Sequence, residues 1–128
     1  MRILISLTLV LLVSCKAQQV SLTQIEWRLI KMEGIDLSAL DQPVTLTLDE
    51  TTNKVSGYAG CNHFFGTYQS DGATISFTGM GSTKMYCQKT MAIEDAYFKL
   101  LGSIQSFKLE ENRLLMLAGE QVVLEFSK

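Results

Sequence analysis

Apolar and polar residues alternate in short runs along most of the chain, and each run predicts a strand with one buried face. In residues 24–31, Ile25, Trp27 and Leu29 fall at every second position. After Pro43, which a strand tolerates as its first residue, Val44, Leu46 and Leu48 alternate with Thr45 and Thr47, the cleanest two-residue period in the chain. Residues 33–36 predict a turn, and residues 37–42 a loop or a short helical turn. Thr51-Thr52-Asn53 predicts the turn of a hairpin whose return strand is 54–58. The turn signal Ser70-Asp71-Gly72 leads into a strand over 73–78, with Ile75 and Phe77 on one face, and Gly79-Met80-Gly81-Ser82 is expected to end it. The last third predicts a three-strand meander: 105–110 with Phe107 and Leu109 inward, 113–117 with Leu115 and Leu117 inward, and 121–126 with Val122, Leu124 and Phe126 inward.

One segment breaks from this period. Over residues 90–101, Ile93, Tyr97, Leu100 and Ile104 form an apolar stripe at helical spacing. Thr90 is a candidate N-cap, Glu94 and Asp95 lie in the early turns where the helix dipole favours acid, Lys99 lies late, and Gly102 is a plausible stop. Seven or eight short strands and one helix make a mainly β chain. Strands this short need a shared core, so the expected fold is a small, partly open antiparallel barrel or a sandwich, with the helix over a seam or plugging one end. Residues 59–68 stand apart. Gly57, Gly60 and Gly66 surround Cys61-Asn62 and Phe64-Phe65, and glycines this dense mark bulges, turns or close backbone approaches.

The N-terminus has a different logic. Met1-Arg2 is basic, residues 3–13 are apolar apart from Ser6 and Thr8, and Leu12-Val13-Ser14 precedes Cys15. The order basic start, apolar run, small residue is that of an export signal, and the run is too short to span a bilayer, which takes about 20 residues. The Leu-Val-Ser-Cys end resembles a bacterial lipobox, in which the thiol accepts lipid and becomes the new N-terminus. Three parts follow: a signal peptide over 1–14, a lipidated N-terminus and tether over 15–23, and a domain over 24–128. Several acyl chains suffice for stable anchoring. Lys16 rather than Asp follows the cysteine, so the expected address is the cell envelope, lipid-anchored, at the outer membrane.

Composition narrows the function. Hydrophobic residues make up 47% and charged residues 19%, a folding composition. Eleven Lys and Arg against thirteen Asp and Glu leave a net charge of −2, which argues against a nucleic-acid partner. One histidine and three cysteines exclude a dense disulfide scaffold and a His-rich metal site. With Cys15 lipidated, Cys61 and Cys87 are an even pair in an exported chain, which suggests a bridge; its loop closure would contribute about 3 kcal/mol. Two buried free thiols, or a soft-metal set of Cys61, His63, Met85 and Cys87, are the alternatives. The chain holds no phosphate-binding glycine loop and no nucleophile elbow. The adjacent acids Glu94-Asp95 and Glu110-Glu111 read as surface. The expectation is therefore a non-enzymatic protein, monomeric and without cofactor, that binds or supports something in the envelope. Its glycines would permit the backbone path, Phe64, Phe65 and Tyr68 would fill the core, and Asn62 would satisfy buried backbone groups or occupy a left-handed position. Met32, Met80, Met85, Met91 and Met116 would suit an apolar ligand such as a lipid. The other reading is an inhibitor, assembly or pilot factor for another envelope protein, acting through a loop such as 37–42 or an edge strand.

The stretch Ser56-Gly57-Tyr58-Ala59-Gly60-Cys61-Asn62-His63-Phe64-Phe65-Gly66-Thr67-Tyr68 resembles the signature of the META domain, the HslJ-like family, and Ser82-Thr83-Lys84-Met85-Tyr86-Cys87 is similar to its Thr-Lys/Arg-Met-Ala-Cys block. Trp27-x-Leu29 and Leu115-x-Leu117 also fall where that family has them, so the resemblance covers roughly residues 25–126. It implies a small, mostly antiparallel, partly open barrel with one helix, and pairing of Cys61 with Cys87. Its motif positions here are Gly57, Gly60, Asn62, Phe64, Gly66, Tyr68, Thr83 and Met85. Tyr86 departs from the usual alanine, which puts the packing before Cys87 in question. The family includes envelope lipoproteins linked to heat shock and novobiocin resistance and has no agreed activity, so the resemblance implies a setting of envelope stress and no reaction.

Overall fold

The computed structural model describes residues 21–128. Cys15 and the expected signal segment and tether through residue 20 lie outside the described residues. Eight strands and one helix follow in the order β1 (Trp27–Met32), β2 (Thr45–Asp49), β3 (Lys54–Tyr58), β4 (His63–Asp71), β5 (Thr74–Ser82), α1 (Met91–Ser103), β6 (Ser106–Glu110), β7 (Arg113–Ala118) and β8 (Gln121–Ser127). Each strand pairs antiparallel with the next, and β8 pairs with β1, so the sheet runs round into a ring. The fold is mainly β, as expected. The ring is thin at one joint. There β5 and β6 pair only at Thr74 and Ser106, supported by the amide of Phe107 on the carbonyl of Ala73 and that of Ile75 on Gln105. The helix leaves the chain at this joint and closes one end of the ring.

The interior is built by the alternation that the sequence displays. Leu46 and Leu48 on β2, Trp27 and Leu29 on β1, and Phe64 and Tyr68 on β4 all turn inward. From α1, Ile93, Tyr97 and Leu101 descend onto them. Phe64 meets Tyr97 and Phe98 edge-on, with ring centroids 5.6 and 5.7 Å apart. The indole of Trp27 is wholly buried and donates to the carbonyl of Leu22 at 2.9 Å. Such packing fills the ring with side chains. Of the five methionines considered as an apolar lining, Met32 and Met116 are core, Met80 and Met91 are half-buried, and Met85 is exposed.

Several expectations are corrected. Gly79 to Ser82 does not end β5. The register shifts, with Thr67 opposite Thr78 and Phe65 opposite Gly81, and Gly79 takes φ +61°. A bulge at glycine bends a strand without stopping its pairing. On β7, Leu114 and Met116 face the core, and Leu115, expected inward, is only half-buried. A one-residue offset exchanges the two faces of a strand. Leu117 is buried as well, because the β7–β8 pairing shifts between Met116 and Leu117. Phe65, expected in the core, is 59% exposed; it sits on the outer face of β4, across from Gly81. In the helix, Leu101 takes the buried place expected for Leu100, and Gly102 lies within the last turn. Thr90 occupies the N-cap without a side-chain capping bond, and its buried hydroxyl has no partner among the described residues.

Candidate functional site

The unusual stretch of the sequence becomes the end of the ring that the helix closes. β3 and β4 are joined there by residues 59–62, with the amide of Ala59 on the carbonyl of Asn62 at 2.8 Å. Two glycines allow the close approaches this end requires. A Cβ on Gly57 would strike the carbonyl of Thr45 on the neighbouring strand, and one on Gly66 would strike the sulfur of Met80. Gly60 sits in the connection, and its carbonyl accepts the hydroxyl of Tyr58 at 2.8 Å. Cys61 is disulfide-bonded to Cys87, with Cα atoms 5.8 Å apart. The bridge fastens the β3–β4 connection to the segment of residues 83–90 that joins β5 to α1.

Asn62, 2% exposed, is the hub. Its side-chain oxygen accepts from the amide of Met85 at 2.8 Å and from the hydroxyl of Thr83 at 2.9 Å. Its amide nitrogen donates to the carbonyl of Met85 at 3.0 Å and to Oε2 of Glu94 at 2.8 Å, and its backbone N–H donates to Oε1 of Glu94 at 2.7 Å. Every hydrogen-bonding group of the side chain is thus used, and a left-handed conformation is not needed. Glu94, expected on the surface, is 3% exposed. Its carboxylate lies in the first turn of α1, where the helix dipole favours a negative charge, and both oxygens are taken up by Asn62. Nothing local in the sequence distinguishes this acid from an exposed one. A buried asparagine needs a partner for each polar group, but the sequence does not single out Glu94 as one of them.

The outer side of this end is exposed. Residues 83–87 carry no regular secondary structure and lead into a turn at 88–90, and Met85 and Tyr86 are 58% and 78% exposed. The amide of Thr83 is held by the carbonyl of His63 at 3.0 Å, and Lys89 pairs with Asp41 of the β1–β2 loop at 3.1 Å. Tyr86, where the resemblance implies alanine, projects outward into solvent. The soft-metal set does not assemble, because Cys61 and Cys87 are bonded to each other and His63 faces outward beside Tyr58, with ring centroids 5.6 Å apart. His63 and Tyr58 instead line a shallow, mixed cleft of about 490 Å³ with Glu26, Arg28, Gln42, Pro43 and Thr45. Beneath the hub, Tyr97 is fully enclosed, its hydroxyl has no partner among the described residues, and burial pushes its phenol far above the usual range.

The N-terminal segment enters at the other end. Gln24 donates its amide to the carbonyl of Leu48, and the hydroxyl of Thr23 reaches Glu50 at 3.2 Å. Both contacts lie at the β2–β3 hairpin, one strand length from the 59–62 connection, or about 17 Å for the five residues of β3.

A model of the META domain matches residues 20–128. Among solved structures, the chain is similar to a protein from Burkholderia xenovorans at 26% identity, with a TM-score of 0.68, over 83% of this chain and 82% of that one. A second NMR structure matches at 18% identity and a TM-score of 0.61, over 80% of this chain and 86% of the other. A DUF4847 family protein from Bacteroides vulgatus matches at 18% identity and a TM-score of 0.53, over 66% of this chain and 57% of that one. The latter two show likeness of fold alone. No curated protein matches.

Proposed function

The chain belongs to the META-domain family, and from that premise we propose that it is a non-enzymatic lipoprotein of the cell envelope. It is held by lipid on Cys15 at the outer membrane and supports tolerance of heat or antibiotic stress by binding a protein partner at the end of the ring carrying residues 83–88. One observation carries the reading. The tether joins the domain at the β2–β3 hairpin, whereas the exposed segment with Met85 and Tyr86, held by Asn62 and the Cys61–Cys87 bridge, stands at the opposite end. A domain anchored in this way turns that segment away from the bilayer. Large apolar side chains held there in water suit contact with another protein.

The chemistry of the site favours binding over catalysis. The polar groups of Asn62 and Glu94 are spent on each other and on Thr83 and Met85, and the pair sits beneath the surface. The filled ring favours a surface partner over a lipid carried inside. The anchoring half is tested by membrane fractionation: Cys15→Ala is expected to shift the protein into the soluble fraction, and unchanged partitioning refutes the anchor. The binding half is tested by photo-crosslinking in intact envelopes. A crosslinker at Tyr86 should capture a discrete partner that one at Asn53, on the hairpin beside the tether, does not. Equal capture from both ends refutes the assignment of this surface.

A further inference from the structure

We infer that residues 83–87 form a substrate-like inhibitory segment for trypsin-like serine proteinases, with Lys84 as the side chain that enters the specificity pocket. The inference rests on the reading of this end as a partner-binding surface and names the partner's class. A proteinase reads an extended backbone with one side chain projecting. Such a segment inhibits when it fits like a substrate and cannot leave after cleavage. Lys84 meets the first requirement. It is exposed in the irregular run between β5 and the turn at 88–90, its ammonium hydrogen-bonds only to the hydroxyl of Ser82 at 3.3 Å, and its own backbone N–H and C=O have no partner among the described residues. A lysine at this place matches the anionic pocket of trypsin-like enzymes.

The second requirement is met by Asn62, which holds the residues on both sides of the Lys84–Met85 bond. Its Oδ1 accepts from Thr83 on one side and from the amide of Met85 on the other, and its Nδ2 donates to the carbonyl of Met85. Before the bond, the chain is secured by pairing of Ser82 with Phe64; after it, by the Cys61–Cys87 bridge. In the reaction, the proteinase serine oxygen attacks the Lys84 carbonyl carbon. The Lys84–Met85 C–N bond breaks, and the catalytic histidine passes the serine's proton to the Met85 nitrogen. Asn62 and the bridge keep this new amine in place. It attacks the acyl-enzyme, returns a proton through the histidine, and re-forms the peptide bond with release of the serine. The geometry is set before binding, so little ordering entropy opposes association. Tyr86 is more exposed, but the carbonyl of the next residue, Cys87, already accepts from the amides of Thr90 and Met91. The chain curls there into α1 and offers no extended continuation beyond Tyr86, which assigns the central place to Lys84.

The test uses the full-length protein in mild detergent with trypsin as the probe, reading residual hydrolysis of a small chromogenic substrate and the mass of the protein after mixing. The expected result is loss of trypsin activity at near-equimolar protein, with at most one cut, at Lys84–Met85. Lys84→Ala should weaken inhibition by about 100-fold or more, as for a central anchor residue, and Lys84→Phe should transfer it to chymotrypsin. Lys84 is exposed, so both variants should retain the native near-ultraviolet spectrum. Full trypsin activity at tenfold excess overturns the inference. So does rapid cleavage at Lys84 while trypsin stays active, or inhibition indifferent to Lys84→Ala. Any of these leaves the lipid anchor and the crosslinking result standing, since those are read by fractionation and capture.

Discussion

Replacing Asn62 by alanine is the sharpest test of how this end of the molecule is held. The substitution deletes four side-chain hydrogen bonds, to Thr83, to both backbone groups of Met85, and to Glu94. Thr83 and Met85 are exposed, so water replaces part of what they lose, at about 0.5–1 kcal/mol per bond. Oε2 of Glu94 is buried and has no cation beside it among the described residues, so stranding it costs about 1–3 kcal/mol. The sum is about 2.5–6 kcal/mol, a large share of the 5–15 kcal/mol typical of a domain. Urea unfolding followed by the fluorescence of Trp27, the single and fully buried tryptophan, should show it as a fall in midpoint of about 2 M. Glu94→Ala completes the cycle. With the carboxylate gone, Asn62→Ala strands no charge, so the double variant should be more stable than the sum of the singles implies, by at least about 1.5 kcal/mol. Additivity within about 0.5 kcal/mol, or a cost below about 1 kcal/mol for Asn62→Ala alone, refutes the argument.

The remaining predictions concern the bridge, the glycines and the buried phenol. The intact protein should resist alkylation at Cys61 and Cys87 until reduced, and the Cys61→Ala/Cys87→Ala variant should lose about 3 kcal/mol in denaturant titration; immediate labelling of both thiols would exclude the bridge. Gly57→Ala should destabilise by about 2–3 kcal/mol because the new methyl meets the Thr45 carbonyl. Gly102→Ala, in the helix with open space around it, should stabilise by about 0.5–1 kcal/mol, and melting curves that rank the two alike would contradict the packing. Tyr97→Phe removes a buried hydroxyl without a partner and should be neutral or stabilising by up to about 1 kcal/mol. The folded phenol titrates above its unfolded value of about 10, so the stability linked to its protonation is fully present below pH 10 and falls as pH rises beyond it. Ultraviolet titration should leave one tyrosine un-ionised until the protein unfolds, and Tyr97→Phe should abolish that late step.

Much of the architecture was legible in the order of residues. Leu46 and Leu48 between threonines, and the stripe of Ile93 and Tyr97, bury where their periods place them, because a side chain's face follows directly from the backbone repeat. Three features were decided only by the folded chain. The bulge at Gly79 carries β5 on to Ser82, since a glycine that ends an isolated strand can bend a strand already paired. On β7, Leu114, Leu115, Met116 and Leu117 are all apolar, so the inward face was set by register with β6 and β8. Glu94 looked like any acid in a first helical turn. It is buried because Asn62, 32 residues earlier, delivers two N–H groups to it, and the desolvation of a carboxylate can be offset only by partners that tertiary structure brings there.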